Sequence, residues 1–222
     1  NDVKVNIKWV SAEDLEKDNR AGKHLAGIDG LLVPYGFGER GTEGKIRAIR
    51  YVRENKIPFF GICFGMQLAV VEFARNVVKL RDANSAEVKE TPNNVIDLME
   101  EQKGITEKGG TMRLGSYACT IKRGTKTYDT YKAVNITERH RHRYEFNNRF
   151  REQMAAAGMV FSGINPDKDL VEIIEIPNHP WFIACQFHPE LKSRATKPHP
   201  LFREFVKACK KYNRYKKTNA GR

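Results

Sequence analysis

A chain of 222 residues with 40% hydrophobic and 10% aromatic side chains can build one domain with a real core, leaves little room for a second, and is too apolar for a disordered protein. It has no apolar run long enough to span a bilayer and no signal-peptide pattern at its start, which argues against a membrane role and for a cytoplasmic one. The formal charge of +12 would suit nucleic acid, but no aromatic-plus-basic RNA motif or recognition-helix pattern accompanies it, and much of the charge sits in a basic tail over residues 210–222, expected to be frayed or solvated.

The elements follow in chain order. Residues 3–10, "VKVNIKWV", alternate like a strand, and "SAEDLEK" opens with a Ser/Glu capping box that predicts a helix. "IDGLLVPYGFGERG" reads as a strand running into a glycine-punctuated loop. "TEGKIRAIRYVREN" then carries Ile46, Ile49 and Val52 at helical spacing. A buried strand over 57–62 gives way to a second helical pattern at Met66, Ala69, Val70, Phe73 and Val77. From Leu80 to Gly115 the pattern loosens into loops, and "TYDTYKAVN" predicts a short helix. "DLVEIIEIP" and "WFIACQF" read as strands, and "PLFREFVKACKKY" as a closing helix. This alternation predicts an α/β fold, a mostly parallel, mixed central sheet with helices on its faces, as a single domain over 1–222 with no repeat or linker.

The four cysteines, Cys63, Cys119, Cys185 and Cys209, lie far apart without a CxxC pair, as in a reducing compartment, against a disulfide scaffold or zinc ribbon. Cys63 stands at the turn between a strand and a helix, with Gly61 and Gly65 on either side. A sharp turn there pushes its central residue out of the sheet, and the helix N-terminus favours the reactive thiolate. The competing reading is a small buried hydrophobe. A partner is found in "FHPE": His188 follows a strand, Pro189 stiffens the backbone, and Glu190 lies close enough to orient one imidazole nitrogen while the other faces the thiol. "GFGERGTEGKI" superficially resembles a phosphate loop, but its glycine spacing is wrong and Ile46 stands where a magnesium-binding hydroxyl is needed.

At "GICFGMQ" and "FHPE" the chain resembles the class I glutamine amidotransferases. "GGTMRLG", "DANSAE", "ERHRHRYEFNN", "VEIIE" and "NHPWFIACQFHPE" narrow the likeness to the glutaminase domain of the CTP synthase family. The resemblance implies an amidotransferase-like sheet with helices on both faces and a Cys63–His188–Glu190 triad that hydrolyses L-glutamine through a thioester. It implies an oxyanion hole from the backbone N–H groups of Tyr35 and Phe64. It also implies a substrate slot lined by Gly36 and Phe37, with contacts from Gln67, from Glu87 to the glutamine ammonium and from Arg143 to its carboxylate. Ammonia would pass to a separate amidoligase domain that aminates UTP. ATP, Mg and allosteric GTP belong to that full-length, homo-oligomeric enzyme, and the glutaminase domain itself needs no cofactor. Read without the resemblance, "RHRHR" is a basic surface run, or a metal site through His140 and His142, for which further ligands at zinc spacing are missing.

The chain departs from the family pattern in several places. Tyr35 stands where the family has glycine, so its loop is expected to be crowded and its backbone strained; Phe64 replaces leucine. "VVKLRDANS" lacks a preceding Gly-Trp, and by the family pattern the chain is expected to start after the family's first strand and helix. Two readings result: a working glutaminase domain detached from its partner, and a module whose oxyanion hole is disabled and whose role is regulation or assembly.

Overall fold

The structure, a computed structural model, describes residues 1–18, 20–98 and 112–219. In chain order the elements are α1 (Ala12–Lys17), α2 (Ala21–His24), β1 (Leu31–Val33), α3 (Thr42–Glu54), β2 (Phe59–Ile62), α4 (Phe64–Phe73), β3 (Asn84–Ser85) and β4 (Asn94–Leu98). After these come β5 (Arg113–Ile121), α5 (Lys126–Tyr131), β6 (Asn135–His142), β7 (Tyr144–Phe146), α6 (Arg151–Ala156), β8 (Val160–Asn165), β9 (Leu170–Glu175), β10 (Phe182–Cys185) and α7 (Pro200–Asn219).

Seven strands form one mixed sheet in the order β1-β2-β10-β9-β8-β5-β6. Its parallel part is β1, β2 and β10, where β2 pairs with a neighbour on each side. Beyond β10 the pairings are antiparallel. Adjacent residues of a strand face opposite sides. Phe59 therefore joins the core under α3 and α4, while Phe60 packs with Phe205 of α7 on the other face. Being covered on both sides, β2 reads as a continuous apolar run. A second, three-stranded sheet, β3-β4-β7, sits beside the first.

Three sequence expectations need correction. Residues 3–10 form no strand: they have no ladder partner among the described residues, and Val3, Val5, Ile7 and Trp9 are exposed, Trp9 to 88%. Alternation alone does not make a strand when no neighbour satisfies the backbone. The stretch after Leu80 contains β3, β4 and the start of β5; residues 99–111, including the start of "GGTMRLG", lie outside the described part. Nor is the basic tail frayed through its length, because α7 continues to Asn219. Tyr212 packs on the core, Asn213 donates to Asp29 and Lys216 pairs with Asp29 at 2.7 Å, which ties the last turns down. Residues 220–222 fall outside the described residues.

Helix α4 is also buried all round, not along one face. A helix sealed on every side is held rigidly, and its first turn carries the residues that matter most below. Among the described residues no helix is long and apolar enough to cross a membrane.

Candidate active site

Cys63 links β2 to α4 with φ 52° and ψ −105°, a strained conformation for a residue with a Cβ. The turn is possible because its neighbours lack side chains. A Cβ on Gly61 would lie 2.8 Å from the Gly65 carbonyl oxygen and 2.9 Å from Ala184 Cβ, and one on Gly65 would run into the Val33 carbonyl. Two glycines thus let α4 close onto β1 and β10, and the thiol is held at the head of the helix, almost fully buried.

Burial pushes the Cys63 thiol up to about 12, and Glu190, Glu145 and Glu87 add to the effect, while a hydrogen bond from the Phe64 backbone N–H opposes it. The expected bias of the helix N-terminus toward thiolate is therefore outweighed by desolvation, so the resting group is a thiol that needs a base.

The candidate for that base is His188. His188 follows β10 and is buried, and its backbone N–H donates to Arg139 O at 2.8 Å, anchoring it to β6. Its Nδ1 lies 2.6 Å from Glu190 Oε1. A carboxylate only accepts, so Nδ1 carries the proton and Nε2 keeps its lone pair. That Nε2 is buried with no hydrogen-bond partner among the described residues. Glu190 comes from a tight helical turn at Pro189–Lys192 and is partly exposed.

The loop after β1 runs beside this pair. A Cβ on Gly36 would sit 3.4 Å from the Phe64 ring, and the Tyr35 ring lies 5.2 Å from that of His188. Tyr35 is not among the residues with positive φ, so the expected backbone strain is absent. Its ring, 58% exposed, leans on the imidazole and does not fill the loop's interior. Phe37 is 84% exposed, so the structure leaves its ring in solvent. Glu87, just after β3, accepts from the Gly38 N–H at 3.2 Å, and burial raises its pKa while the nearby Arg143 lowers it. Arg143 sits at the break between β6 and β7. The second sheet therefore brings a carboxylate and a guanidinium together, as a zwitterionic ligand requires.

Gln67, in the first turn of α4, donates from Nε2 to Tyr144 O at 3.0 Å and to Gln186 Oε1 at 3.3 Å; its own Oε1 is buried and unpartnered. Gln186, absent from the sequence-derived set, is fully buried and lies 3.7 Å from Cys63 Sγ through Nε2. Its position two residues before His188 was the only signal available.

A buried ionic cluster underlies the site. Arg113 reaches Glu172 at 2.6 Å and Glu145 at 3.3 Å. Burial pushes Glu145 up to about 8 and Glu172 to about 7, against the pull of Arg113. His140 and His142 are buried neighbours linked Nδ1 to Nε2 at 2.8 Å, and burial holds both well below the ordinary imidazole range, His142 at about 3. Three diagnostic stretches without an assigned chemistry, around Arg113, Glu145 and Glu172, thus meet behind Gln67 and Arg143. No group of His, Cys, Asp and Glu among the described residues has the geometry to hold a metal, and the two histidines face each other and the carboxylates.

Comparison with known proteins gives a consistent picture. Residues 1–208 match the family "Glutamine amidotransferase class-I". CTP synthase of Caldanaerobacter subterraneus subsp. tengcongensis is 62% identical over 92% of this chain, and that of Nitratidesulfovibrio vulgaris is 58% identical over 95%. The chain spans 38% and 40% of those two relatives. The glutaminase domain of Trypanosoma brucei CTPS, solved with bound acivicin, superposes with a TM-score of 0.88 at 38% identity, covering 94% of this chain and 82% of that one. A Thermoplasma acidophilum protein assigned to GMP synthase shares the fold, with a TM-score of 0.60 at 18% identity over 89% of this chain and 81% of its own.

Proposed function

Because this chain belongs to the class I glutamine amidotransferase family, on the branch of the CTP synthase glutaminase domains, we propose that its Cys63, His188 and Glu190 hydrolyse glutamine and supply ammonia to an amidoligase domain. His188 Nε2 takes the thiol proton as Sγ attacks the glutamine carboxamide carbon, forming an S–C bond and an oxyanion. The Phe64 and Tyr35 backbone N–H groups receive that oxyanion. When the tetrahedral adduct collapses, the C–N bond breaks, His188 returns the proton to nitrogen and ammonia leaves a thioester. Water, deprotonated by the same nitrogen, then attacks the acyl carbon; the S–C bond breaks and glutamate departs. Glu190 holds the Nδ1–H tautomer throughout and offsets the charge of the imidazolium.

Around the reacting carbon, Glu87 takes the substrate ammonium and Arg143 its carboxylate, with Gly36, Phe37 and Gln67 bordering the side chain. The observation that carries this reading is a buried His188 whose Nδ1 lies 2.6 Å from Glu190 Oε1 and whose Nε2 has no hydrogen-bond partner among the described residues, in a chain that sets Cys63 at a strand-to-helix elbow. Ammonia would serve the amination of UTP to CTP by the partner domain, in an oligomer that uses ATP and Mg and responds to GTP; the relatives named above, CTP synthases of greater length, support the partner domain.

A second reading, a non-catalytic module for regulation or assembly, is favoured by one observation, the near-complete burial of Cys63. Incubating the chain with glutamine and an amidoligase domain from a CTP synthase, with UTP, ATP and Mg, separates the two. Glutamate release coupled to CTP formation supports the first reading. CTP formation from added ammonium but not from glutamine supports the second.

A further inference from the structure

We propose that the Gln186 carboxamide is a catalytic contact, donating a hydrogen bond from Nε2 to Cys63 Sγ and holding negative charge on sulfur during acyl transfer. The proposal rests on the reading of Cys63 as the nucleophile.

The argument begins at a backbone carbonyl, which can only accept. Tyr144 O receives Gln67 Nε2 at 3.0 Å, and His142 Nδ1 lies 3.2 Å from the same oxygen. The Gln67 amide nitrogen is thereby fixed on that side, and its remaining proton faces Gln186 at 3.3 Å. Gln186 must meet it with oxygen. A carboxamide whose oxygen is committed in one direction presents its nitrogen in the other, and there lies Cys63 Sγ at 3.7 Å. Turning the Gln186 amide over would set nitrogen against nitrogen at Gln67. The side chain is fully buried and its backbone N–H donates to Glu172 O at 2.8 Å, so the group is held at both ends.

The charges around the thiol explain why such a donor is needed. Glu190 beyond β10, Glu87 beyond β3 and, once ionised, Glu145 on β7 act on Cys63, and each disfavours a further negative charge, while burial keeps the neighbouring Cys185 a neutral thiol. The contacts to sulfur among the described residues come from the Phe64 N–H and from Gln186 Nε2. When the tetrahedral oxyanion takes the Phe64 N–H, Gln186 is the donor left to sulfur. It serves again in the second half-reaction, when the S–C bond breaks and the electron pair returns to Sγ.

The test is the rate of Cys63 alkylation by iodoacetamide at about pH 8, below the titration range of the buried thiol, in the unaltered chain and in Gln186→Leu, read by peptide mass spectrometry. There the rate follows the small thiolate fraction, and loss of a hydrogen bond to a charged group of ordinary strength predicts a rate lower by about 10- to 100-fold in the variant. The turnover number for glutamine should fall by roughly 10- to 100-fold with a much smaller change in KM. Equal alkylation rates from two folded proteins overturn the proposal. If Gln186→Leu does not fold, the ¹⁵N-labelled chain decides. One glutamine side-chain amide should be displaced when Cys63 is replaced by alanine; no such displacement overturns the proposal. An unaltered chain that is folded yet never labelled at Cys63 fails the underlying reading and the inference with it, whereas labelling at equal rates fails the inference alone.

Discussion

Replacing Gly61 by alanine tests whether the elbow depends on backbone packing as tight as described above. The new Cβ would stand 2.9 Å from Ala184 Cβ, where carbon atoms prefer about 3.5 to 4.0 Å, and 2.8 Å from the Gly65 carbonyl oxygen. Neither contact is the end of a flexible side chain, so the first turn of α4 has to move away from β2 and β10 by roughly 0.5 to 1 Å. Overpacking of this kind costs about 1 to 3 kcal/mol, and the smaller entropy of the unfolded alanine chain offsets only about 0.5. For a chain of this size that lowers the unfolding midpoint by roughly 2 to 8 °C. The sulfur moves with the helix, and a 1 Å misplacement of a reacting group costs up to about 100-fold in rate.

Two controls separate the effects. In Gly36→Ala the Cβ meets Phe64 at 3.4 Å, an ordinary contact, so stability should hold. In Gly124→Ala, at φ +75° in an open turn, stability should fall through strain of about 1 to 2 kcal/mol while turnover is preserved. Thermal unfolding and glutamate release would be measured on all three. A Gly61→Ala protein with unchanged midpoint and unchanged turnover would refute the packing argument.

Further outcomes follow from the same geometry. Glu190→Gln should retain its unfolding midpoint, because the side chain is partly exposed, but lose roughly 10²- to 10⁴-fold in glutamine turnover as the imidazole tautomer is released; turnover within threefold of the unaltered chain would remove Glu190 from the mechanism. Tyr35→Gly, expected from the family pattern to relieve strain, should instead lower turnover by a few fold, because the tyrosine backbone is unstrained and its ring rests on His188; a clear rise would restore the crowding argument. The pH dependence of stability has a defined sign. The folded-state pKa of Glu145, about 8, is raised by burial, so the protonated carboxyl contributes stability that is lost as pH rises toward that value. His142, depressed to about 3, acts oppositely but only up to the unfolded imidazole value of about 6.5. From about pH 6.5 to 8 the unfolding free energy should therefore drop by about 1 to 2 kcal/mol, and Glu145→Gln should flatten that decline in urea titrations. A drop of the same size in the variant would assign it elsewhere.

The parts of the fold legible in the sequence were those where apolar side chains repeat with a period. Strands β2, β9 and β10 and helix α3 are of that kind, and the capping residue Ser11 does accept from the Asp14 N–H at 3.2 Å. Strand β6 was illegible for a physical reason. It alternates exposed charge with buried Glu138, His140 and His142, so its inward face is polar and hydropathy shows no period. Residues 3–10 mislead in the opposite sense: they have the alternation but no partner strand.

The site divides in the same way. Cys63 and His188 stand at element ends where glycines and a proline mark sharp turns, and chemistry points to them directly. The roles of Glu87 and Arg143 came only with the family resemblance, since it takes the second sheet to bring their sequence-distant positions together. Gln186 could not be singled out, because its significance depends on a carbonyl at Tyr144 and an amide at Gln67. Tyr35 shows the limit of pattern comparison: a glycine position in the family is occupied here without positive φ.

The most direct test of the central claim is intact-protein and peptide mass spectrometry after exposure to an electrophilic glutamine analogue, with and without excess glutamine, on the unaltered chain and on Cys63→Ala. The account predicts a single adduct on Cys63, suppressed by glutamine and absent from Cys63→Ala, with Cys119, Cys185 and Cys209 unmodified. A folded chain that takes no adduct at Cys63, or takes one that glutamine does not suppress, would contradict it.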